Sequence, residues 1–343
     1  MKVSYLITYY NQAQYVQQSL ESCLNQKYDG DYEILIADDG SSDNTVEIIN
    51  SYIQKYPEKI KLFRMQRELG KVYNSIERVS AARIELLEHA TGDYFCTLDG
   101  DDWYCNNSFV QKGVDVLKND KTLSVCAFMY QDWYSSMQQE PKIWIKKAKR
   151  VSASEYIRKM YVHVGACVHR LRKTGEDFEI IKKEGIFDDN DILIYSLNEG
   201  DIYFFPEVVY SYRQTTGSSW NSTPQELRYL VNTWGYEIES KYSIYKRALL
   251  YRYRNEIFSL YQIRHDIMKY RNAKNSIYFE YKDKSCTEYL GDILSWENLS
   301  EEQRKKFYKN EIKPLKRMIF YEQLILVRIF RKIVSNLFSL YHK

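Results

Sequence analysis

Proline and glycine are scarce, 5 and 13 of 343 residues, and neither phosphate-cradling glycine pattern follows the first strand-like run, Val3 to Ile7. Dinucleotide-binding and P-loop enzymes are thereby set aside. No apolar run reaches the roughly 18 residues that a membrane-spanning helix requires. The N-terminus carries no charged and apolar leader pattern, so the sequence predicts a cytoplasmic protein. The six cysteines, Cys23, Cys96, Cys105, Cys126, Cys167 and Cys286, have no metal-ligand spacing and read as reduced core residues. Net charge is only +3, but it is unevenly spread: from residue 224 onward Lys and Arg outnumber Asp and Glu 23 to 14, leaving the earlier part acidic. That asymmetry predicts an acidic, metal-using part joined to a basic region suited to phosphates, nucleic acid or an anionic membrane.

The length suits a catalytic domain with an appendage. Strand-like runs recur at Val3 to Ile7, Glu33 to Ala37, Ile60 to Arg64, Tyr94 to Leu98 and Leu123 to Tyr130. Helical spacing fills the intervals at Tyr15 to Leu24, Asn44 to Tyr52, Val72 to His89 and Ser108 to Leu117. Ser42 or Asn44 is placed to cap the second helix, with Glu47 completing a capping box. Strict alternation of this kind argues for an open, mostly parallel α/β sheet flanked by helices. Beyond residue 150 the sequence predicts a helix from Ser154, a strand over Gly165 to Val168, a helix opened by Asp188 to Asp191 and a strand over Ile202 to Tyr212. A polar loop then runs from Thr215 to Pro224, and long helices follow from Gln225.

In an open α/β sheet, ligands bind where strands end at the carboxyl edge. Two acidic turns fall there: Asp38-Asp39 after the second strand, and Asp99-Gly100-Asp101-Asp102 after the fourth. Carboxylates at that density are costly unless a cation or proton neutralises them. Oxygen-only donors suit Mg²⁺ or Mn²⁺, and no His or Cys lies in the cluster to favour zinc. Carboxylates also accept hydrogen bonds from a base N–H or ribose hydroxyls, whereas a phosphate needs an intervening cation. The pair of turns therefore fits a nucleotide held by the first and a metal-bound diphosphate held by the second. An acidic turn that merely caps the next helix is the alternative for either one alone.

Three stretches together, Ile7-Thr8-Tyr9-Tyr10-Asn11, Asp38-Asp39-Gly40-Ser41-Ser42-Asp43-Asn44-Thr45 and Gly92-Asp93-Tyr94 through Leu98-Asp99-Gly100-Asp101-Asp102, resemble the nucleotide-sugar half of family 2 inverting glycosyltransferases of the GT-A fold. The resemblance spans about residues 1–220, leaving 221–343 as a basic helical region. It implies that Thr8, Tyr10 and Asp39 contact the nucleobase with Asp38 beside them. It further implies that Asp99 and Gly100 line the donor, that Arg83 reaches the diphosphate, and that Asp101, with Asp99, binds Mn²⁺ or Mg²⁺. An acidic pair opening a helix beyond the acceptor region supplies the base in this family. Asn190-Asp191 takes that register, making Asp191 the expected base with Asp189 and Asp188 as competitors. Tyr212 to Ser219 resembles the family's closing loop, and Gln225 to Tyr229 resembles a motif of processive synthases with Tyr in place of Trp. Trp103, Trp133 and Trp220 are candidates for a sugar-stacking platform.

The implied reaction moves a sugar, from a UDP-sugar by expectation, to a glycan or lipid-linked acceptor in surface polysaccharide synthesis, with no nucleic-acid partner. On a helical wheel Lys313, Arg317, Arg328, Arg331 and Lys332 share an arc of about 100°, opposed by apolar residues such as Ile325, Ile329 and Phe330. A helix of that kind lies at a membrane surface or packs on the catalytic domain, and the expectation is a peripheral association with the inner face of the cell membrane. Two rivals remain. A haloacid-dehalogenase-type phosphatase also uses a strand-terminal Asp-x-Asp but leaves Asp38-Asp39 unexplained. A catalytically inactive scaffold of a glycan-assembly complex has no need of Asp39, Asp99, Asp101 and Asp191.

Overall fold

A computed structural model describes residues 1–67, 75–134, 137–138, 141, 143–214, 225–253 and 256. The chain divides into two compact units, Met1–Pro224 with Gly235–Arg252, and Gln225–Trp234 with Tyr253–Lys343. The candidate site described below is built from residues of the first.

Strands β1 (Lys2–Tyr9), β2 (Asp31–Asp38), β3 (Ile60–Arg64) and β4 (Tyr94–Asp99) pair in parallel in the order β3-β2-β1-β4. Helices α1 (Ala13–Leu24), α2 (Thr45–Lys55) and α3 (Ser75–His89) make the crossovers. Ile34, Leu35, Ile36 and Ala37 are fully buried, which explains why these strands read as unbroken apolar runs: a parallel sheet covered on both faces leaves no polar side to alternate with. The cap of α2 differs from expectation. Asn44 holds the cap position without a side-chain bond, and Asp43 Oδ1 instead accepts the Thr45 N–H at 3.0 Å. Asp43 Oδ2 also accepts the Ala13 N–H at 3.1 Å, so this acid ties two helix starts together.

The chain continues through β5 (Trp103–Tyr104), α4 (Phe109–Asn119), β6 (Leu123–Tyr134), β7 (Met137–Gln138), β8 (Lys149–Val151), α5 (Ala153–Lys159) and a single 3₁₀ turn, Val164–Ala166. There follow β9 (Cys167–Arg170), α6 (Glu176–Glu184), α7 (Asp189–Leu197), β10 (Asp201–Gln214) and α8 (Gln225–Tyr242). Among the described residues the strands form one mixed sheet whose main path is β3-β2-β1-β4-β9-β6-β10-β5. Here the sheet departs from the mostly parallel reading: β9 is antiparallel to both β4 and β6. The reversal matters for function. Phe95 pairs with His169, so the start of β9 and the 3₁₀ turn before it lie at the carboxyl end of β4.

Cys23, Cys96, Cys126 and Cys167 are free and buried as expected, but Cys105 is exposed. Residues 215–224 and those beyond 256, with Trp220, Cys286, the closing loop past Gln214 and the basic C-terminal helix, lie outside the described residues.

Candidate active site

The last two residues of β1 hold both acidic turns. The Asp39 N–H donates to the Tyr9 carbonyl and the Gly100 N–H to the Thr8 carbonyl, each at 2.9 Å. Because β1 lies between β2 and β4, with Tyr9 opposite Asp38 and Thr8 opposite Asp99, the turns emerge side by side at one edge. Gly100 is required for this approach: a Cβ there would collide with the Tyr9 ring and with Gln12 Oε1. Gly40, at φ +74°, supplies the left-handed residue that turns the chain away after Asp39.

The first turn separates its two acids. Asp38 is fully buried beneath the turn, with Oδ2 accepting the Ser41 N–H at 3.1 Å. Asp39 faces two arginines that the sequence reading missed. Arg78 Nε donates to Asp39 Oδ1 at 2.6 Å, and Arg67 donates to the Asp39 carbonyl at 2.7 Å and to its carboxylate. The Arg67 guanidinium also lies 3.7 Å from the centre of the Tyr10 ring, which is 43% exposed. A flat, half-open aromatic beside a carboxylate and two guanidinium groups is a surface on which a nucleobase can stack and be hydrogen-bonded.

The second turn divides its carboxylates by task. Asp102 is 1% exposed and structural: Tyr210 OH donates to Oδ2 at 2.5 Å and the Arg213 N–H to Oδ1 at 2.7 Å. Arg213 Nε donates to the Asp101 carbonyl at 2.7 Å, and its guanidinium lies 4.6 Å from the Trp103 ring centre. Trp103 meets Trp133 edge-on at 5.3 Å and is covered by Arg213. Asp99 and Asp101 remain for a ligand. Among the described residues no three His, Cys, Asp or Glu side chains converge into a closed metal site. Two carboxylates with coordination completed by diphosphate oxygens is a normal arrangement for Mg²⁺ or Mn²⁺, and the donor set therefore fits such an ion.

Burial, reinforced by the neighbouring Asp99 charge, pushes the Asp101 carboxyl up to about 6. A metal ligand must be deprotonated, so a proton competes with the ion below that pH. Mn²⁺ affinity, read by electron paramagnetic resonance of the free ion, is expected to be level above about 6 and to fall about tenfold per unit below it. A flat profile down to about pH 5 would remove Asp101 from the ligand set.

Arg83 joins the second turn to α7. It is 5% exposed, and Nη2 pairs with Asp99 Oδ1 at 3.1 Å and Asp189 Oδ1 at 2.8 Å. The three charges thus form one chain along the edge, with Asp189 partly open to solvent at its far end. Asp191, the expected base, is elsewhere. It is 1% exposed, its Oδ2 accepts the Asp188 N–H at 3.1 Å in a capping box, and its Oδ1 accepts the Tyr242 OH at 2.7 Å. Burial and the nearby Asp188 and Glu239 raise its carboxyl well above the usual range. Both Asp191 oxygens are thus engaged inside the domain, whereas Asp189 is partly exposed. Tyr242→Phe is expected to lower the free energy of unfolding by about 1–3 kcal/mol in urea titration, because it strips a partner from a buried carboxyl, while leaving nucleotide affinity unchanged.

A parallel nucleotide-binding half whose carboxyl edge carries an Asp-Gly-Asp turn, followed by a mixed half supplying further acids, is the GT-A architecture of glycosyltransferases. The glycosyl transferase family 2 model matches residues 4–173, and this segment of the chain belongs to that family. A glycosyltransferase of Haemophilus influenzae, otherwise uncharacterized, is 37% identical over 117 residues, covering 34% of this chain and 43% of that protein. An uncharacterized protein of Mycobacterium tuberculosis is 25% identical over 231 residues, covering 66% of this chain and 63% of its own length. The matches thus span less than two thirds of these relatives. In fold the chain is similar to residues 1–349 of TarS from S. aureus, solved in complex with UDP-GlcNAc, with a TM-score of 0.58 at 15% identity over 86% of this chain and 81% of that one. The family match favours the glycosyltransferase reading over the phosphatase one.

Proposed function

We propose that the chain is an inverting, metal-dependent transferase that moves a hexose or N-acetylhexosamine from a UDP-sugar to a glycan or lipid-linked glycan in surface polysaccharide synthesis. The observation that carries this reading is the pair of acidic turns hung on the tip of β1. Thr8, Tyr10 and Asp39 take the nucleoside, Arg67 and Arg78 being the cations that exchange Asp39 for nucleotide contacts. Asp99 and Asp101 hold Mn²⁺ or Mg²⁺, which when bound stabilises the charge developing on the departing diphosphate. Arg83, already between two carboxylates, offers its guanidinium to the same diphosphate. Asp189, at the first position of α7 and partly exposed, takes the proton of the acceptor hydroxyl.

Among the described residues no helix is long and apolar enough to cross a membrane. The helical spacing in sequence of Lys313, Arg317, Arg328, Arg331 and Lys332 supports a peripheral association with anionic lipid on the cytoplasmic face. A thermal-shift screen of nucleotide sugars with Mn²⁺, followed by assay of nucleoside diphosphate release, tests the reading. A metal-dependent shift with at least one nucleotide sugar is expected, and silence across UDP-, GDP-, CDP- and dTDP-sugars would sink it.

A further inference from the structure

His163 is 3% exposed and stands at the start of the Val164–Ala166 turn, which touches β4, β6, β10 and α7. Its ring stacks on Tyr210 at 4.6 Å and lies against Tyr212 at 4.7 Å and Tyr130 at 5.5 Å. Gly165 makes that stacking feasible, since a Cβ there would strike the Tyr210 ring. The Gly165 N–H donates to His163 Nδ1 at 3.2 Å. With Nδ1 accepting, the neutral ring must carry its proton on Nε2. Burial keeps the ring neutral by lowering its pKa, and the strongest charges acting on it are Asp189, then Asp99 and Arg83.

Nε2 has no hydrogen-bond partner among the described residues. It is also absent from the fully buried unsatisfied polar atoms, so the sliver of His163 that stays exposed includes it. The molecule thus holds one neutral N–H, fixed in tautomer and clamped between aromatic rings, on a turn that packs against both β4, which ends at Asp99, and α7, which begins at Asp189. In a single displacement the transferred sugar must lie between leaving group and nucleophile. Arg83 and a metal serve the phosphates; a neutral donor suits a hydroxyl or an amide carbonyl.

We propose that His163 contacts the donor sugar, its Nε2–H donating a hydrogen bond to an oxygen substituent of the ring being transferred and so contributing to the choice of sugar. This rests on the donor site proposed above. His163→Phe keeps an aromatic ring between the tyrosines and removes the donor, whereas His163→Gln restores an N–H near the Nε2 position. Calorimetry with Mn²⁺ compares UDP with UDP-N-acetylglucosamine and UDP-glucose, and GDP with GDP-mannose, using whichever pair wild type binds. His163→Phe is expected to bind the nucleoside diphosphate within about twofold of wild type and the nucleotide sugar about tenfold more weakly. His163→Gln recovers most of the difference. Equal affinity for the nucleotide sugar in wild type and His163→Phe overturns the inference. Equal weakening of both ligands, by distortion of the turn, overturns it as well, as does failure of His163→Gln to recover sugar binding while UDP or GDP binds normally. If wild type binds neither nucleoside diphosphate, the donor site itself is misplaced and this inference falls with it.

Discussion

Asp189→Asn leaves nucleotide-sugar affinity within about twofold of wild type and lowers the transfer rate by about 10²–10⁴-fold, the range spanned by removal of a positioned general base. The change keeps size and hydrogen-bonding shape and removes only basicity. Arg83 loses one ion-pair partner but keeps Asp99 at 3.1 Å, so the donor edge retains its geometry. The paired control is Asp191→Asn, two residues along the same helix. That variant disturbs the capping box and the Tyr242 bond, so its loss is expected in the urea midpoint with kcat falling only as far as folding does. Reversal of the two phenotypes, with Asp191→Asn well folded and inactive and Asp189→Asn active, would return the base to Asp191.

Asp101→Ala gives the opposite signature. It is expected to abolish the Mn²⁺-dependent part of donor binding and to reduce kcat/KM by about 10²–10³-fold or more, the scale seen when a group stabilising transition-state charge is removed. Overall stability should hold or rise slightly, because the wild-type carboxyl is buried beside Asp99 and is held above its usual pKa, a strained state that the substitution relieves. Loss of donor binding accompanied by unfolding would point to a structural role instead. Asp102, bonded to Tyr210 and to the Arg213 N–H, is the neighbour in which that structural outcome is expected.

The parallel half was legible because burial on both faces writes β2 and β4 as apolar runs ending in acids. Motif order then placed Asp39 and Asp101 at one edge. What escaped reading needed partners from distant parts of the chain. Asp189 and Asp191 lie within one helical turn, and Tyr242, 51 residues beyond Asp191, is a partner that no local pattern announces. Arg67 follows β3 and Arg78 lies on α3, and nothing local in either stretch tied them to Asp39. The antiparallel entry of β9 was hidden because Gly165 to Val168 reads the same in either direction. His163 follows from that reversal, which brings the segment before β9 to the carboxyl end of β4.

The backbone carbonyls of Thr8 and Tyr9 anchor the Asp99–Asp102 turn and the Asp38–Asp39 turn respectively. Engineering that swaps one acidic loop for a homologue's would leave its companion mismatched to the strand tip. Chimaeras that exchange β1 together with both loops as a single cassette should retain turnover where single-loop grafts lose it.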